Sequence, residues 1–188
     1  MKNNTKESKV PPSFLVDGLP IWVLDNLLTT SQHDFMYSYC LNSLYTPNHS
    51  SDDRLSFKNQ RMVSRLTKEQ MISLPLNEAY KDIIKQLDVD IIFSEAYINV
   101  YSSDSVCASH IDSNVFGLTF LYYPNLNWDI NHGGETMFFN EESEVAFTSK
   151  YKPNRLLVFD ARLKHLAKTP TTISEDFRYT IAHKGEAQ

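Results

Sequence analysis

Two histidines and one aspartate are the residues of this sequence best suited to do chemistry. His110 and Asp112 stand two positions apart, just before a run of aromatic residues, and His165 lies further along the chain. On a β-strand, residues i and i+2 point to the same face. A buried imidazole beside a buried carboxylate is costly unless something binds both. The pair therefore indicates a shared proton, a hydrogen-bond network or a metal ion.

His165 shifts the balance of these alternatives towards a metal. Two imidazoles and one carboxylate on one face of a β-scaffold form the facial triad that holds non-haem Fe(II). Three protein ligands leave coordination positions open, whereas four ligands close a structural zinc site. A His-x-Asp string alone is more often a surface accident, so the surrounding sequence has to decide.

The elements that must position these residues lie mainly in the second half of the chain. After Asp90 the sequence consists of short β-branched and aromatic segments that turn-forming clusters separate. These segments are IIFSEAYINVY, VFGLTFLYYP, ETMFFN, EVAFTS, RLLVFD and FRYTIAH. Their spacing predicts a sandwich, barrel or jelly roll, with His110 and Asp112 at the end of one strand.

Before Asp90 the sequence predicts two helices. The string Ser31-x-x-Asp34 resembles a capping box that opens the first helix. Its apolar face would comprise Phe35, Met36, Tyr39, Cys40 and Leu44. The second helix is predicted from about Pro75 to Leu87. Its apolar stripe would comprise Leu76, Ala79, Tyr80, Ile83, Ile84 and Leu87.

The composition is that of one soluble globular domain. The chain has 188 residues, of which 41% are hydrophobic and 12% aromatic. Its net charge of −5 argues against a nucleic-acid partner. Cys40 and Cys107 are too few and too far apart for a disulfide framework. With no signal peptide or membrane-spanning run in the sequence, we expect a cytoplasmic protein without a membrane partner.

The domain organisation is expected to be simple. Residues 1–12 are charged and polar and predict a flexible tail, followed by a single domain over 13–188. Within it, 13–90 would supply helical support and substrate loops, and 91–188 the β-core. Residues 46–61 predict a polar loop that is either solvated or binds an acidic partner. The basic residues in and just after this loop are Arg54, Lys58, Arg61 and Arg65.

Five ordered strings then carry a family resemblance. They are YINVY, HID, LTFLYYPNLNWDINHGGETMFF, PNRLLVFDARLKHLAKTP and FRYTIAH. Together they resemble the C-terminal double-stranded β-helix of the 2-oxoglutarate- and Fe(II)-dependent oxygenases. The likeness is greatest to the prolyl hydroxylase branch, which includes the enzymes that hydroxylate the hypoxia-inducible factor. The implied fold is α+β and mainly β, a cupin-like jelly roll with flanking N-terminal helices.

The resemblance assigns the iron site and part of the co-substrate site. It makes His110, Asp112 and His165 the iron ligands. It makes Arg178 the residue that grips the distal carboxylate of 2-oxoglutarate, which suits a side chain that pairs with carboxylates bidentately. Arg178 follows His165 at a longer interval than is usual in the family, so the intervening turn must be longer.

Three further residues match positions near the co-substrate. Tyr123 matches a tyrosine that hydrogen-bonds the same carboxylate, while Tyr122 would point to the other face. Tyr101 and Asn99 match positions that often contact the co-substrate near the iron, although ordinary strand residues are an equal alternative. The loop before His110 lacks the glycine that is frequent in the family and is therefore expected to have a different shape.

The implied activity is hydroxylation of an unactivated C–H bond. It would use Fe(II), O2 and 2-oxoglutarate, with ascorbate as a further cofactor, and would release succinate and CO2. Asp112 favours a hydroxylase over the related halogenases, which carry a small residue there. The substrate stays open between a prolyl or other amino-acid residue, a free amino acid and a small metabolite. The alternatives are a zinc hydrolase, a catalytically silent binding module and a nucleic-acid demethylase.

Other residues near the motifs are assigned structural roles. Gly133 and Gly134 predict a tight turn, and Trp128 predicts packing. His132 and His183 could replace a metal ligand but fall in no matching motif. Glu135 is the rival carboxylate, and its position after the turn predicts a solvent-exposed side chain.

Overall fold

Two antiparallel β-sheets and three α-helices form the frame of the part of the chain that the structure describes. The computed structural model describes residues 10–47 and 61–187. The strands are Phe14–Val16 (β1), Leu19–Leu24 (β2), Thr46–Pro47 (β3), Met62–Arg65 (β4), Ile91–Tyr101 (β5), Gly117–Tyr122 (β6), Thr136–Phe139 (β7), Val145–Ser149 (β8), Leu156–Asp160 (β9), His165–Ala167 (β10) and Arg178–Ala187 (β11). The helices are Thr30–Leu41 (α1), Lys68–Ser73 (α2) and Leu76–Leu87 (α3).

The strand order is that of a jelly roll. The larger sheet runs β1-β2-β9-β6-β11-β5-β4-β3, and the smaller sheet runs β10-β7-β8. Every neighbouring pair is antiparallel. The expected double-stranded β-helix with N-terminal helices is therefore confirmed.

Strand alternation divides the interior into two apolar cores. Along β11, Tyr179 and Ile181 join the core beneath the helices, whereas Ala182 joins the core between the two sheets. Along β6, Phe120 contacts the first core and Leu121 the second. Because successive strand residues face opposite sides, one sheet serves both the helix layer and the smaller sheet.

Helix α1 begins two residues earlier than the sequence indicated. Its N-cap is Thr29, and Gln32 completes the capping box from the third helical position. Met36 and Cys40 are buried, but Phe35 is 50% exposed and Leu44 is 91% exposed. The prediction of the cap at Ser31 and of Leu44 in the apolar face was therefore wrong. A Ser/Thr-x-x-Glu/Gln pattern fits Thr29 better than Ser31.

Helix α3 agrees closely with its prediction. Leu76, Tyr80, Ile83 and Leu87 are buried, and the helix ends at Asp88 in the left-handed conformation. An aspartate tolerates this conformation better than most residues because its short polar side chain can bond locally. The apolar stripe of α3 packs on the larger sheet and fixes the layer behind β5 and β11.

Several elements were missing from the sequence prediction. β3, β4 and α2 were not predicted. Asp17 and Gly18 join β1 to β2, and both residues have positive φ. Residues 1–9 of the predicted tail, and Arg54 and Lys58 of the predicted loop, lie outside the described residues.

Two further features of the described residues concern the cysteines and the length of the helices. Cys40 and Cys107 are both free cysteines. None of the helices within 10–47 and 61–187 combines the length and apolar character that crossing a membrane requires.

Candidate metal and carboxylate site

The structure brings His110, Asp112 and His165 together. One potential ligand atom from each lies within 4.8 Å of the other two. His110 Nε2 lies 3.6 Å from Asp112 Oδ1, and His165 Nε2 lies 3.7 Å from Asp112 Oδ2. Two imidazoles and one carboxylate thus converge on one point between the two sheets.

Isolated backbone hydrogen bonds, rather than a regular strand, hold His110 and Asp112 in place. His110 and His165 form an isolated antiparallel bridge, with two N–H···O bonds of 2.9 Å. The backbone N–H of Asp112 donates to Ala161 O at 2.9 Å. The expectation that His110 and Asp112 end a strand was therefore wrong, because only His110 pairs and Asp112 lies in an irregular segment.

Both imidazoles are oriented with Nε2 towards the carboxylate. His165 Nδ1 bonds to Leu163 O at 2.9 Å, and His110 Nδ1 bonds to Ala108 O at 3.2 Å. Because a carbonyl only accepts, each Nδ1 must donate, which leaves the Nε2 lone pair free in the neutral ring. Burial lowers the pKa of His165 to about 4. The ring is thus neutral at physiological pH, as metal coordination requires.

Two side chains hold the carboxylate of Asp112. Thr119 Oγ1 donates to Oδ2 at 2.6 Å, and Lys184 Nζ lies 3.0 Å from Oδ1. Burial alone would raise the pKa of Asp112, but the neighbouring His110, His165, Lys184 and Thr119 together hold it below its usual value. The carboxylate is therefore ionised and fixed in orientation.

Arg178 is a fully buried cation that forms no ion pair with a carboxylate in the part of the chain that the structure describes. Its side chain is among the largest in the chain with no exposure. Nε donates to Gly134 O at 2.7 Å and Nη2 to Thr136 Oγ1 at 3.1 Å. Nη1 is buried and bonds to no described residue. A buried charge is costly unless paired, so this guanidinium is prepared for an anionic ligand.

Tyrosines surround the guanidinium. Its carbon lies 5.3 Å from the ring centre of Tyr101, 5.7 Å from that of Tyr123 and 5.4 Å from that of Tyr151. Tyr123 Oη lies 2.7 Å from Thr136 Oγ1, the hydroxyl that also accepts from Arg178. Tyr123 thus lies beside Arg178, as the sequence predicted.

Tyr122 occupies the opposite face, also as predicted. Its hydroxyl lies 2.6 Å from His33 Nδ1 and donates to Asn154 Oδ1 at 3.0 Å. Because Tyr122 and Tyr123 are adjacent in an extended segment, only one of them can face the site.

Asn99 and Tyr101 line the cleft that the triad occupies. Asn99 Nδ2 donates to Thr180 Oγ1 at 3.3 Å, while its Oδ1 is buried and bonds to no described residue. Arg61 Nη1 donates to the hydroxyl of Tyr101 at 3.4 Å. Burial raises the pKa of Tyr101 to about 12, so the phenol stays protonated. The lining residues are Arg61, Tyr97, Asn99, Tyr101, His110, Asp112, Thr119, Leu121, Thr136, Phe159, His165, Ala167, Thr180 and Ala182.

The rival ligands lie elsewhere. His183 faces the core beneath the helices, and His132 packs its ring against Trp128. Trp128 donates to Gly133 O at 2.8 Å, which confirms its packing role. Glu135 is half-buried rather than solvent-exposed, and its Oε2 lies 3.5 Å from Lys168 Nζ.

Sequence reasoning missed the residues that support the site. Thr119 and Lys184 bind the Asp112 carboxylate, and Thr136 links Arg178 to Tyr123. Strand alternation from Arg178 places Lys184 on the same face, so alternation could have found it. The position of its ammonium group next to the Asp112 carboxylate, however, depends on how β11 packs beside the segment that carries His110 and Asp112.

The donor set fits Fe(II) and a dicarboxylic co-substrate. Two imidazole nitrogens and one carboxylate match the facial triad. The buried, unpaired Nη1 of Arg178 matches a ligand carboxylate, because guanidinium groups bind carboxylates through two donors. The same cleft is lined by the triad and by Thr136, which bonds Arg178.

The chain matches known proteins in structure but not in sequence. No protein-family model matches the chain, and no curated protein sequence matches it. Solved structures match over most of its length. A prolyl hydroxylase from Trichoplax adhaerens, in complex with an oxygen degradation domain peptide of hypoxia inducible factor, superposes with a TM-score of 0.69 at 18% identity, covering 89% of this chain and 83% of that one. The chain has a prolyl hydroxylase fold.

Two further structures support this fold. A prolyl-4-hydroxylase from Pseudomonas putida matches with a TM-score of 0.66 at 12% identity, over 89% of this chain and 92% of that one. HygX from Streptomyces hygroscopicus, with nickel, 2-oxoglutarate and hygromycin B bound, matches with a TM-score of 0.66 at 11% identity. That match covers 92% of this chain and 84% of HygX. The chain is thus similar in fold to proteins that bind different ligands, a peptide in one structure and hygromycin B in another.

Proposed function

We propose that the chain is a 2-oxoglutarate- and Fe(II)-dependent oxygenase that hydroxylates an unactivated C–H bond. The observation that carries this proposal is one cleft lined by the triad and by Thr136, whose hydroxyl accepts a hydrogen bond from the buried Arg178. A zinc hydrolase would use the triad, but it would have no use for a buried guanidinium without an anion. A dicarboxylate that chelates the metal with one end uses both features.

His110 Nε2, Asp112 and His165 Nε2 would hold the metal. The two imidazoles are already oriented by their Nδ1 bonds to backbone carbonyls. Thr119 and Lys184 fix the carboxylate from the other side. Partners of this kind orient metal ligands, and their loss typically weakens metal binding about 10–100-fold.

Arg178 would bind the distal carboxylate of 2-oxoglutarate, with Tyr123 contributing a second hydrogen bond. Thr136 holds both side chains in place because its hydroxyl contacts each of them. Burial keeps water away from the guanidinium, which strengthens its attraction for a carboxylate. Asn99 and Tyr101 would contact the co-substrate between Arg178 and the metal.

When bound, Fe(II) and 2-oxoglutarate supply the oxidation, in which O2 is consumed and succinate and CO2 are released. The chain itself binds and orients the reactants. The lowered pKa values keep Asp112 ionised and His165 neutral near neutral pH, and these are the forms in which the two side chains bind a metal. Leu121, Phe159 and Ala182 supply the apolar part of the cleft wall.

For the substrate we propose a prolyl or other amino-acid residue, a free amino acid or a small metabolite. The structure with a hypoxia-inducible-factor peptide and the structure with hygromycin B are similar to this chain to comparable degrees. We expect the substrate to gain the mass of one oxygen atom, which mass spectrometry of candidate peptides and amino acids would detect.

The test is anaerobic addition of Fe(II) and then 2-oxoglutarate to the purified protein. We expect a visible metal-to-ligand charge-transfer band, because this band requires the co-substrate to chelate the metal. His110→Ala should abolish the band. His132→Ala is the matched control, since it removes an imidazole outside the triad and should leave the band unchanged.

Two outcomes would contradict the proposal. A folded protein that binds metal but gives no band with 2-oxoglutarate would favour the zinc hydrolase. A band that survives His110→Ala and His165→Ala would place the metal elsewhere.

A further inference from the structure

One cation of the cleft has no role in the proposed oxygenase site. Arg61 stands directly before β4 and lines the same cleft as His110, Asp112 and His165. The proposed metal takes up the triad, and the proposed co-substrate takes up Arg178. The reactant that still has to be placed in this cleft is the substrate.

The register of β4 places Arg61 on the face of the larger sheet that carries the site. β4 pairs with β5 so that Val63 lies opposite Asn99, a residue that lines the cleft. Two residues further along each strand, the same register sets Arg61 opposite Tyr101, and side chains two apart on a strand share a face. The contact between Arg61 Nη1 and the Tyr101 hydroxyl at 3.4 Å agrees with this placement.

Arg61 differs from Arg178 in its access to solvent. Arg178 is completely buried and Tyr101 is 3% exposed, whereas Arg61 is half-buried. The guanidinium of Arg178 lies 5.3 Å from the ring centre of Tyr101, while Arg61 contacts the hydroxyl of the same side chain. Arg61 is therefore accessible to a substrate that enters from solvent once the co-substrate is in place.

The other charges around the cleft also favour an anionic substrate. Among the described residues they are the cations Arg178 and Lys184 and the anion Asp112, with Lys184 Nζ 3.0 Å from Asp112 Oδ1. Glu95 lies 3.9 Å from Lys184 but is itself paired with Arg65. Fe(II) and 2-oxoglutarate would add two charges of each sign, so the excess of positive charge would persist. A cleft lined by one sign of charge attracts ligands of the other.

The guanidinium group indicates which anion the substrate would present. It carries five N–H donors in a fixed fork and binds carboxylates through two of them. A guanidinium also keeps its charge when it is partly buried. Of the substrates proposed above, a free amino acid carries such a carboxylate, whereas a prolyl residue inside a neutral peptide does not.

We propose that Arg61 binds a carboxylate of the substrate and thereby determines which substrates are hydroxylated. This inference rests on the proposed function and narrows its substrate class. The carboxylate belongs either to a free amino acid or to an acidic side chain of a peptide, and the experiment distinguishes these two sources.

The first measurement separates binding of the substrate from binding of the co-substrate. 2-Oxoglutarate is titrated into the anaerobic Fe(II) forms of the wild-type chain and of Arg61→Gln, and the charge-transfer band is followed. We expect the same Kd in both, which also shows that the variant is folded. A raised Kd in Arg61→Gln would assign Arg61 to the co-substrate and overturn the inference. Absence of the band in the wild-type chain would overturn the oxygenase proposal itself, and the inference with it.

The second measurement is of binding without turnover, with Zn(II) in place of Fe(II). The probes are the twenty free L-amino acids with their α-amides, and the peptide N-acetyl-Ala-Pro-Glu-Ala-amide with its Gln counterpart. Each probe is titrated into the chain saturated with 2-oxoglutarate, and the heat of binding is measured. We expect a free amino acid to bind at least tenfold more tightly than its amide, or the Glu peptide than the Gln peptide. The inference is overturned if no carboxylate probe binds at millimolar concentration, or if each binds no more tightly than its amide.

Variants then assign the preference to Arg61. Arg61→Gln should weaken the carboxylate probe about 10–100-fold, as expected for a lost charged hydrogen bond, and leave its amide unchanged. Arg61→Lys keeps the charge and should restore part of the affinity. Arg65→Gln is the matched control, because it removes an exposed guanidinium that pairs with Glu95 on the same strands, and it should change neither affinity. An equal loss in Tyr101→Phe would overturn the inference, since Arg61 would then act only through the phenol.

Discussion

Gly134→Ala tests whether Arg178 is held in place by the turn before β7. Gly134 has a φ of +79°, a value that residues with a Cβ rarely adopt. A Cβ there would lie 3.0 Å from Trp128 Cζ2 and 3.2 Å from Arg178 Cδ. Trp128 is tied to Gly133 O, and Arg178 Nε is tied to Gly134 O itself. The added methyl group therefore displaces the guanidinium.

The magnitude has two parts. Left-handed backbone at a residue with a Cβ costs about 1–2 kcal/mol, which lowers the free energy of unfolding. Displacing Arg178 weakens charged hydrogen bonds that are worth about 1.5–3 kcal/mol each. If one such bond to the 2-oxoglutarate carboxylate is lost, the Kd of 2-oxoglutarate rises roughly 10–100-fold.

Gly18→Ala separates the two parts. Gly18 has nearly the same φ, +77°, but a Cβ there would have no atom within 4 Å. Urea denaturation of Gly18→Ala should show the backbone penalty alone, and that of Gly134→Ala should show this penalty plus the cost of the contacts with Trp128 and Arg178. Titration of 2-oxoglutarate into the anaerobic Fe(II) protein should show a raised Kd in Gly134→Ala only.

An unchanged Kd in Gly134→Ala would refute the reasoning, because it would mean that Arg178 does not bind the co-substrate or is not held by this turn. A raised Kd in Gly18→Ala would also refute it, since backbone strain alone would then explain the effect.

Three further predictions follow from individual contacts. Thr119→Val should weaken Fe(II) binding about 10–100-fold by removing the bond to Asp112, as metal titration would show; unchanged affinity would exclude this role. His183, with its pKa lowered by burial to about 3, binds a proton in the unfolded chain first, so it should contribute a fall in the free energy of unfolding of about 1.4 kcal/mol per pH unit between pH 6 and 4. His183→Phe should reduce the slope in urea denaturation by this amount, while His165, whose pKa is also lowered, still contributes, and an unchanged slope would contradict the assignment. Asp25, whose pKa is lowered to about 2 chiefly by its hydrogen bond to Arg155, stabilises the fold above about pH 4 and loses this effect as the pH falls through 2. Asp25→Asn should therefore lower the unfolding free energy at pH 7 but not at pH 2, and equal losses at both would be inconsistent with the ion pair.

Local sequence patterns predicted the secondary structure best where apolar residues recur at a regular spacing or lie between polar turns. The apolar period of α3 predicted a stripe of six residues, of which Leu76, Tyr80, Ile83 and Leu87 are buried and Ala79 and Ile84 are partly buried. Short apolar strands after Asp90 were found because their turns are rich in polar residues. The pattern failed for α2, which has only six residues and none buried. So short a helix leaves no periodic signal.

The candidate site was predicted only in part, because only some of its residues lie in recognisable local strings. His110, Asp112 and His165 belong to short strings that can be recognised together, and the structure brings them within 4.8 Å of one another. Thr119 and Thr136 carry no such signal, since threonine is common in strands. Their hydroxyls become informative only beside Asp112 and Arg178.

The sequence by itself determined the order of the six strands predicted after Asp90, the apolar face of α3, and the residue types for a facial triad and a carboxylate-binding arginine. The tertiary structure alone decided that Asp112 is held by Thr119 and Lys184, that Arg178 is buried with no carboxylate partner among the described residues, and that His183 is buried against Tyr80 and Phe93. The physical reason is that each of these facts is a contact between strands distant in sequence. Register and sheet order set such contacts, and a strand carries no local record of its neighbours.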